Sequence, residues 1–121
     1  SPKPYSEMPR YAAAFDVCVL PWDMGNRFVS YGSAIKVREY LASGKPVVIM
    51  DLPEYQHLAG VLRIAHDSES FIAQVEAALA ERDPAARERR QASVRSDTWD
   101  ARAEQLSQWI EQALKGKAAA V

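Results

Sequence analysis

An internal disulfide is the first thing this chain excludes. Its 121 residues contain one cysteine, Cys18, so a reducing compartment is the default expectation. Cys18 lies in the run Val17-Cys18-Val19-Leu20 and reads as a small buried hydrophobe. No apolar run approaches the roughly 20 residues that a membrane-spanning helix needs. Basic and acidic residues nearly cancel, with a formal net charge of −1. That balance gives no reason to expect nucleic acid or an acidic polymer as partner. His57 and His66 lie in unrelated loops with no second ligand at metal spacing, and both read as non-ligands. There is no internal repeat and no low-complexity segment. The opening Ser1-Pro2-Lys3-Pro4 is not a signal peptide and lacks an initiating Met. The expectation is therefore a single domain over residues 1–121 that is a fragment of something longer.

The elements that remain alternate. Ser6 is a plausible N-cap for a short helix over 7–14, which buries Met8, Tyr11 and Ala12. The run 17–20 predicts a fully buried strand, ended by Pro21. Residues 22–32 form a loop too long for a tight connection, and long ordered loops tend to be functional. Ser33 is expected to cap a helix over 34–43, with Gly44 as its left-handed stop. Pro46 opens the strand 47–50, and strand, crossover helix and strand make a right-handed parallel unit. Residues 51–55 read as a turn and helical stub, and 61–65 as a third strand. A helix runs from Asp67-Ser68 to about Arg82, facing inward with Phe71, Val75, Ala78 and Leu79. Another follows Pro84 to about Val94, with 87–90 as a solvated face. A last helix, capped by Asp97 or Thr98, carries an apolar seam of Leu106, Trp109, Ile110 and Leu114 before a frayed tail from Lys115. The fold class is thus α/β, about three parallel strands flanked by helices, partial Rossmann-like, with C-terminal helices.

The central helix holds charges that packing alone would not place. Lys36 sits in its first turn, where the helix dipole disfavours a cation. A helix N-terminus with unpaired N–H groups and a lysine is suited to an anion, here through Gly32, Ser33, Ala34 and Ile35. Gly32 lets backbone approach a ligand closely. Glu39, one turn on, is able to accept hydrogen bonds from a diol. Phosphate at one end and a diol beside it describe a nucleotide sugar. The plain alternatives are ordinary capping by Ser33, a salt bridge for Lys36, and pairing of Glu39 with Lys36 or Arg38. Trp22 either stacks near a ligand or packs, and Trp99 and Trp109 are expected to wedge the C-terminal helices against the domain.

The run Ile35-Lys36-x-x-Glu39-Tyr40-Leu41-Ala42-x-Gly44-Lys45-Pro46-Val47-Val48 resembles the donor-binding helix of GT-B glycosyltransferases, nearest the retaining, family 4-like bacterial enzymes. Residues 8–21 upstream, and Asp67–Phe71 and Thr98-Trp99-Asp100-x-Arg102 downstream, are similar to flanking parts of that family. The resemblance implies half of a GT-B C-terminal domain, with Glu39 on the ribose and no bound metal or other cofactor. It implies sugar transfer from a nucleoside diphosphate in polysaccharide or glycolipid synthesis, with no DxD-like acid pair. The chain departs from the family at Tyr31, where many members carry a first glutamate eight positions before Glu39; a tyrosine there is able to donate a hydrogen bond to a sugar hydroxyl but not to serve as a carboxylate, so Tyr31 stands as a sugar-binding candidate. Catalytic residues are accordingly left unassigned. The implied partners are a nucleoside-diphosphate sugar, an N-terminal acceptor domain in cis and, for a truncated sheet, a homodimer. The implied location is cytoplasmic, peripheral at the inner face of the membrane in a full-length enzyme. A stand-alone dimeric interaction module with a degenerate nucleotide site is the rival expectation. A receiver-like domain is weaker, since no acid cluster follows the first strand.

Overall fold

A strand that is apolar at every position must be covered on both faces, and residues 47–50 set the architecture accordingly. The structure, a computed structural model, describes residues 2–30, 32 and 34–119. A 3-10 turn, Tyr5–Glu7, leads into α1 (Met8–Ala14) and β1 (Cys18–Leu20). A short α2 (Arg27–Ser30), α3 (Ile35–Ser43) and β2 (Val47–Met50) follow. Then come a 3-10 segment, Pro53–Leu58, β3 (Arg63–Ala65), α4 (Ser68–Leu79), α5 (Ala86–Val94) and α6 (Trp99–Ala119). The strands form one parallel sheet in the order β1-β2-β3, with Val19 beside Val48 and Ile49 beside Ile64. This is the partial Rossmann-like α/β fold that the alternation implies. No described helix is long and apolar enough to cross a membrane.

All four residues of β2 are buried. On one face Val47 and Ile49 join Val37 and Leu41 of α3, Leu52, Tyr55 and Val94 of α5 in the main core. Alternation turns Val48 and Met50 to the other face, where α4 lies along β2 and β3. Cys18 is buried in the core, and burial pushes its thiol up to about 11 despite Lys45 and Ser43 nearby. Asp67 caps α4 in a capping box with Ser70, whose N–H donates to the carboxylate at 2.7 Å. That bond and the Ser70 hydroxyl hold the Asp67 carboxyl below its ordinary range.

Several expectations change. The strand expected to be fully buried is an edge, so Val19 is 40% exposed while its neighbour Val48 is fully covered. The α4 layer lies on β2 and β3 and leaves β1 open. Ser6 caps nothing: a 3-10 turn precedes α1, whose N-cap is Glu7 with no side-chain bond. Leu79 is exposed on α4, because the layer turns over Ala78 instead. Arg90 leaves the solvated face of α5 for the interior, where it finds two acceptors. Trp99 and Trp109 wedge nothing among the described residues; both are exposed on α6, which is helical through the tail expected to fray.

Candidate functional site

The helix α3 buries Val37 and Leu41 and turns Ile35, Glu39 and Ala42 outward. That outer stripe forms one wall of a cleft of about 570 Å³. Tyr5 of the first 3-10 turn closes one side, and Thr98, Trp99 and Arg102 from the α5–α6 junction close another. The junction is braced electrostatically. Arg38 donates from Nε to Asp97 at 2.9 Å and pairs with Glu54 at 3.8 Å, while Arg102 reaches the other Asp97 oxygen at 3.1 Å. Asp97 thereby ties the start of α6 to α3.

Glu39 is half-buried, and its carboxylate accepts a hydrogen bond from the Tyr5 hydroxyl. It does not pair with Lys36 or Arg38. The bond to Glu39, and next the carboxylate's charge, raise the Tyr5 phenol above its ordinary range. Glu39 thus already holds one hydroxyl, the interaction that a diol would need.

At the N-terminus of α3 the geometry differs from simple serine capping. The helix starts at Ile35, one residue later than expected, and its N-cap is Ala34, with no side-chain cap bond. The core residue Tyr55 takes over that task. Its hydroxyl accepts from the Ala34 N–H at 2.5 Å and donates to the Ala34 carbonyl at 3.3 Å. The Ala34 amide is therefore engaged internally. Ile35 and Lys36 supply the N–H groups of the first turn that lack partners within the helix. Trp22 packs on Tyr55, ring centroids 5.9 Å apart and planes 15° from parallel, so it supports the cap from behind.

Of the seven residues singled out in sequence, Glu39 and Ile35 line the cleft together. Ala34 and Gly32 approach the start of α3, and Gly32 donates its N–H to Val29 at 3.0 Å. A side chain at Gly32 would meet the Val29 carbonyl at 3.3 Å, so the loop folds closely on itself there. Lys36 is exposed and outside the cleft lining. Tyr31 and Ser33 lie outside the described residues. Sequence reasoning missed Tyr5, the Arg38–Asp97–Arg102 brace and the role of Tyr55. Only Tyr55 left a signal: an aromatic after Pro53 in a short helical stub, two positions beyond the apolar Leu52–Pro53 step. No family model, curated protein or solved structure matches the chain.

Proposed function

We propose that the chain is the donor-binding part of a glycosyltransferase, holding a nucleoside-diphosphate sugar against α3. The observation that carries this reading is Glu39, a cleft carboxylate one turn into a helix, already accepting a hydroxyl. A ribose diol takes the place of the Tyr5 hydroxyl, or shares Glu39 with it. The diphosphate lies toward the Ile35 and Lys36 amides, where the helix dipole and the Lys36 charge oppose its negative charge. In the parent reaction the same groups stabilise charge building on the leaving diphosphate, with an acceptor domain in cis supplying the second substrate. The reading needs no metal ion, and it places the reaction on the cytoplasmic side, beside the membrane where lipid-linked acceptors lie. The isolated chain is expected to bind donor without turning it over.

The test is calorimetric titration of UDP and of GDP into this chain and into Glu39→Ala. Binding that the variant loses supports the ribose assignment and names the base. Binding that survives the substitution unchanged removes Glu39 from the site. A second reading, an interaction module with a degenerate nucleotide site, draws on the Ala34 amide being occupied by Tyr55 and on the open edge of β1. It predicts no nucleotide affinity in any length of the protein.

A further inference from the structure

The basic run Arg87-Glu88-Arg89-Arg90 does more than meet solvent. Arg89 and Arg90 line a cavity of about 250 Å³ together with Arg63, the first residue of β3, and Glu81, just beyond α4. Gly60, Val61 and Leu62 form a further wall, and a side chain built at Gly60 would meet nothing within 4 Å. Since one water takes about 30 Å³ of liquid volume, the cavity has room for a group the size of phosphate. It lies at the N-terminal end of the parallel sheet, where β3 begins. None of its residues lines the Glu39 cleft.

The charges around the cavity do not cancel. Arg63, Arg89 and Arg90 share the lining with one carboxylate, Glu81, and that carboxylate serves two of them. Arg90 reaches both Glu81 oxygens at 2.5 Å, and Arg63 reaches one at 3.3 Å. Arg89 has a carboxylate of its own, Asp83, at 2.5 Å. One positive charge is left over. The groove adjoining Arg90 adds Lys45 and Arg87 against Asp16, so it does not offset the excess. Arg82, which donates to the Leu79 and Glu81 carbonyls, increases it.

Arg63 is the guanidinium with bonds still to make. Its Nε is buried with no acceptor among the described residues. Its terminal nitrogens reach Gln74 at 3.5 Å and Glu81 at 3.3 Å, both beyond the usual range of roughly 2.7–3.2 Å. Arg90 differs, with Glu81 close by and the Gly44 carbonyl at 3.1 Å. A partly buried cation with unmade bonds needs an acceptor. Any oxygen satisfies the N–H groups, but an anion also offsets the charge. The planar guanidinium fork matches two oxygens of a phosphate.

We propose that this cavity binds a single phosphate group, as the free ion or as a phosphomonoester, between Arg63 and Arg89. Arg90 and Glu81 form its base, where the close Arg90 pair neutralises the Glu81 charge. The proposal does not depend on nucleotide binding at Glu39.

The test is calorimetric titration of inorganic phosphate into the 121-residue chain at constant ionic strength, set with chloride. Saturable one-to-one binding tighter than about 1 mM is expected, and its absence overturns the proposal. Arg89→Gln is expected to weaken binding at least about tenfold. The Arg89 side chain is 55% exposed, so the fold survives that change. Arg95→Gln removes the same charge at the C-cap of α5, outside the cavity, and is expected to leave binding unchanged. Binding indifferent to Arg89→Gln, or weakened equally by Arg95→Gln, means general charge attraction and overturns the site. Amide chemical shifts give the location. Gly60, Val61 and Leu62 are expected to move on saturation, whereas shifts confined to Ile35 and Lys36 assign the phosphate to the start of α3 and overturn the cavity. Methyl phosphate, titrated alongside, separates the two sources. Equal or tighter binding supports a phosphomonoester, and weaker binding supports the free ion.

Discussion

Tyr5 and Glu39 are separated by 34 residues, yet they share one hydrogen bond at the mouth of the cleft. The Tyr5 phenol is raised because ionisation would cost it that bond and set an anion against the carboxylate. The sign follows directly: a raised phenol keeps the contact at and below its ordinary pKa. The contact is lost as pH rises through the raised value. Ultraviolet titration of the tyrosines, with Tyr5→Phe identifying the signal, is expected to show Tyr5 ionising late. Glu39→Ala should return it toward the usual value of about 10; a Tyr5 curve that ignores the substitution would rule out the contact. Tyr55 gives a second prediction at this scale. Tyr55→Phe keeps the stack on Trp22 but leaves the Ala34 amide without its acceptor. A loss of about 1 kcal/mol in urea unfolding is expected, with faster hydrogen exchange at Ala34; unchanged exchange there would count against the cap. Glu39 was legible in sequence because its neighbours lie on its own helix. Tyr5 was not, since nothing local to residues 2–7 says which distant carboxylate they will meet.

Helix ends and helix contacts decide the next scale. Gly44 ends α3 with φ of 78°, its N–H donating to the Leu41 carbonyl at 2.9 Å. The Gly-Lys-Pro run after an apolar helix announced that stop in sequence, because few other residues tolerate the left-handed region. An added Cβ would meet the Arg87 side chain at 2.5 Å, but that chain is able to swing aside. The backbone conformation is therefore the main cost, and Gly44→Ala should lose about 1–2 kcal/mol. A thermal midpoint equal to that of the parent chain would contradict the left-handed assignment. The part of α5 that sequence misread lies against the same turn. Arg90, only 6% exposed, donates to the Gly44 carbonyl at 3.1 Å and to both Glu81 oxygens at 2.5 Å. In a run reading Arg-Glu-Arg-Arg, helical phase alone does not reveal which arginine has an acceptor waiting inside. Arg90 links the ends of α3 and α4 through α5, and Arg63 supports it with a pair to Glu81 at 3.3 Å. Burial by itself would raise the Glu81 carboxyl, but the hydrogen bonds and charges of Arg90, then Arg63, outweigh it and hold the group low. The resulting stability is present above the ordinary carboxylate pKa and is lost as pH falls through the lowered value. Arg90→Met is expected to cost about 3 kcal/mol near neutrality. The cost should shrink in acid as Glu81 takes a proton. A pH-independent cost would mean that packing, not the pair, explains Arg90.

Across the whole molecule the sheet is lopsided, and its two outer strands differ in what covers them. Parallel pairing was legible, since continuous apolar strands joined by a helix leave few other arrangements. The exposure of β1 was not. The run Val17–Leu20 has the composition of an interior strand, but composition reports the surroundings a strand is suited to, and nothing in residues 17–20 says how far α4 extends. Cys18 donates its N–H to Pro46 at 2.9 Å, so alternation turns the Val19 amide toward the open side. An edge that is apolar and unpaired invites another strand, which natural proteins commonly resist with charge. Val19 and Val48 are neighbours in register on one face, with the exposures of an edge and a centre. Val48→Ala should therefore cost about 2 kcal/mol, from two lost methyl groups and the space they leave. Val19→Lys should stay within about 0.5 kcal/mol while lowering aggregation at high concentration. Paired urea unfolding curves and light scattering separate the two sites. A large loss from Val19→Lys would show that β1 is covered in solution, by another strand or by a second copy on the sheet. Association would then run through the sheet edge.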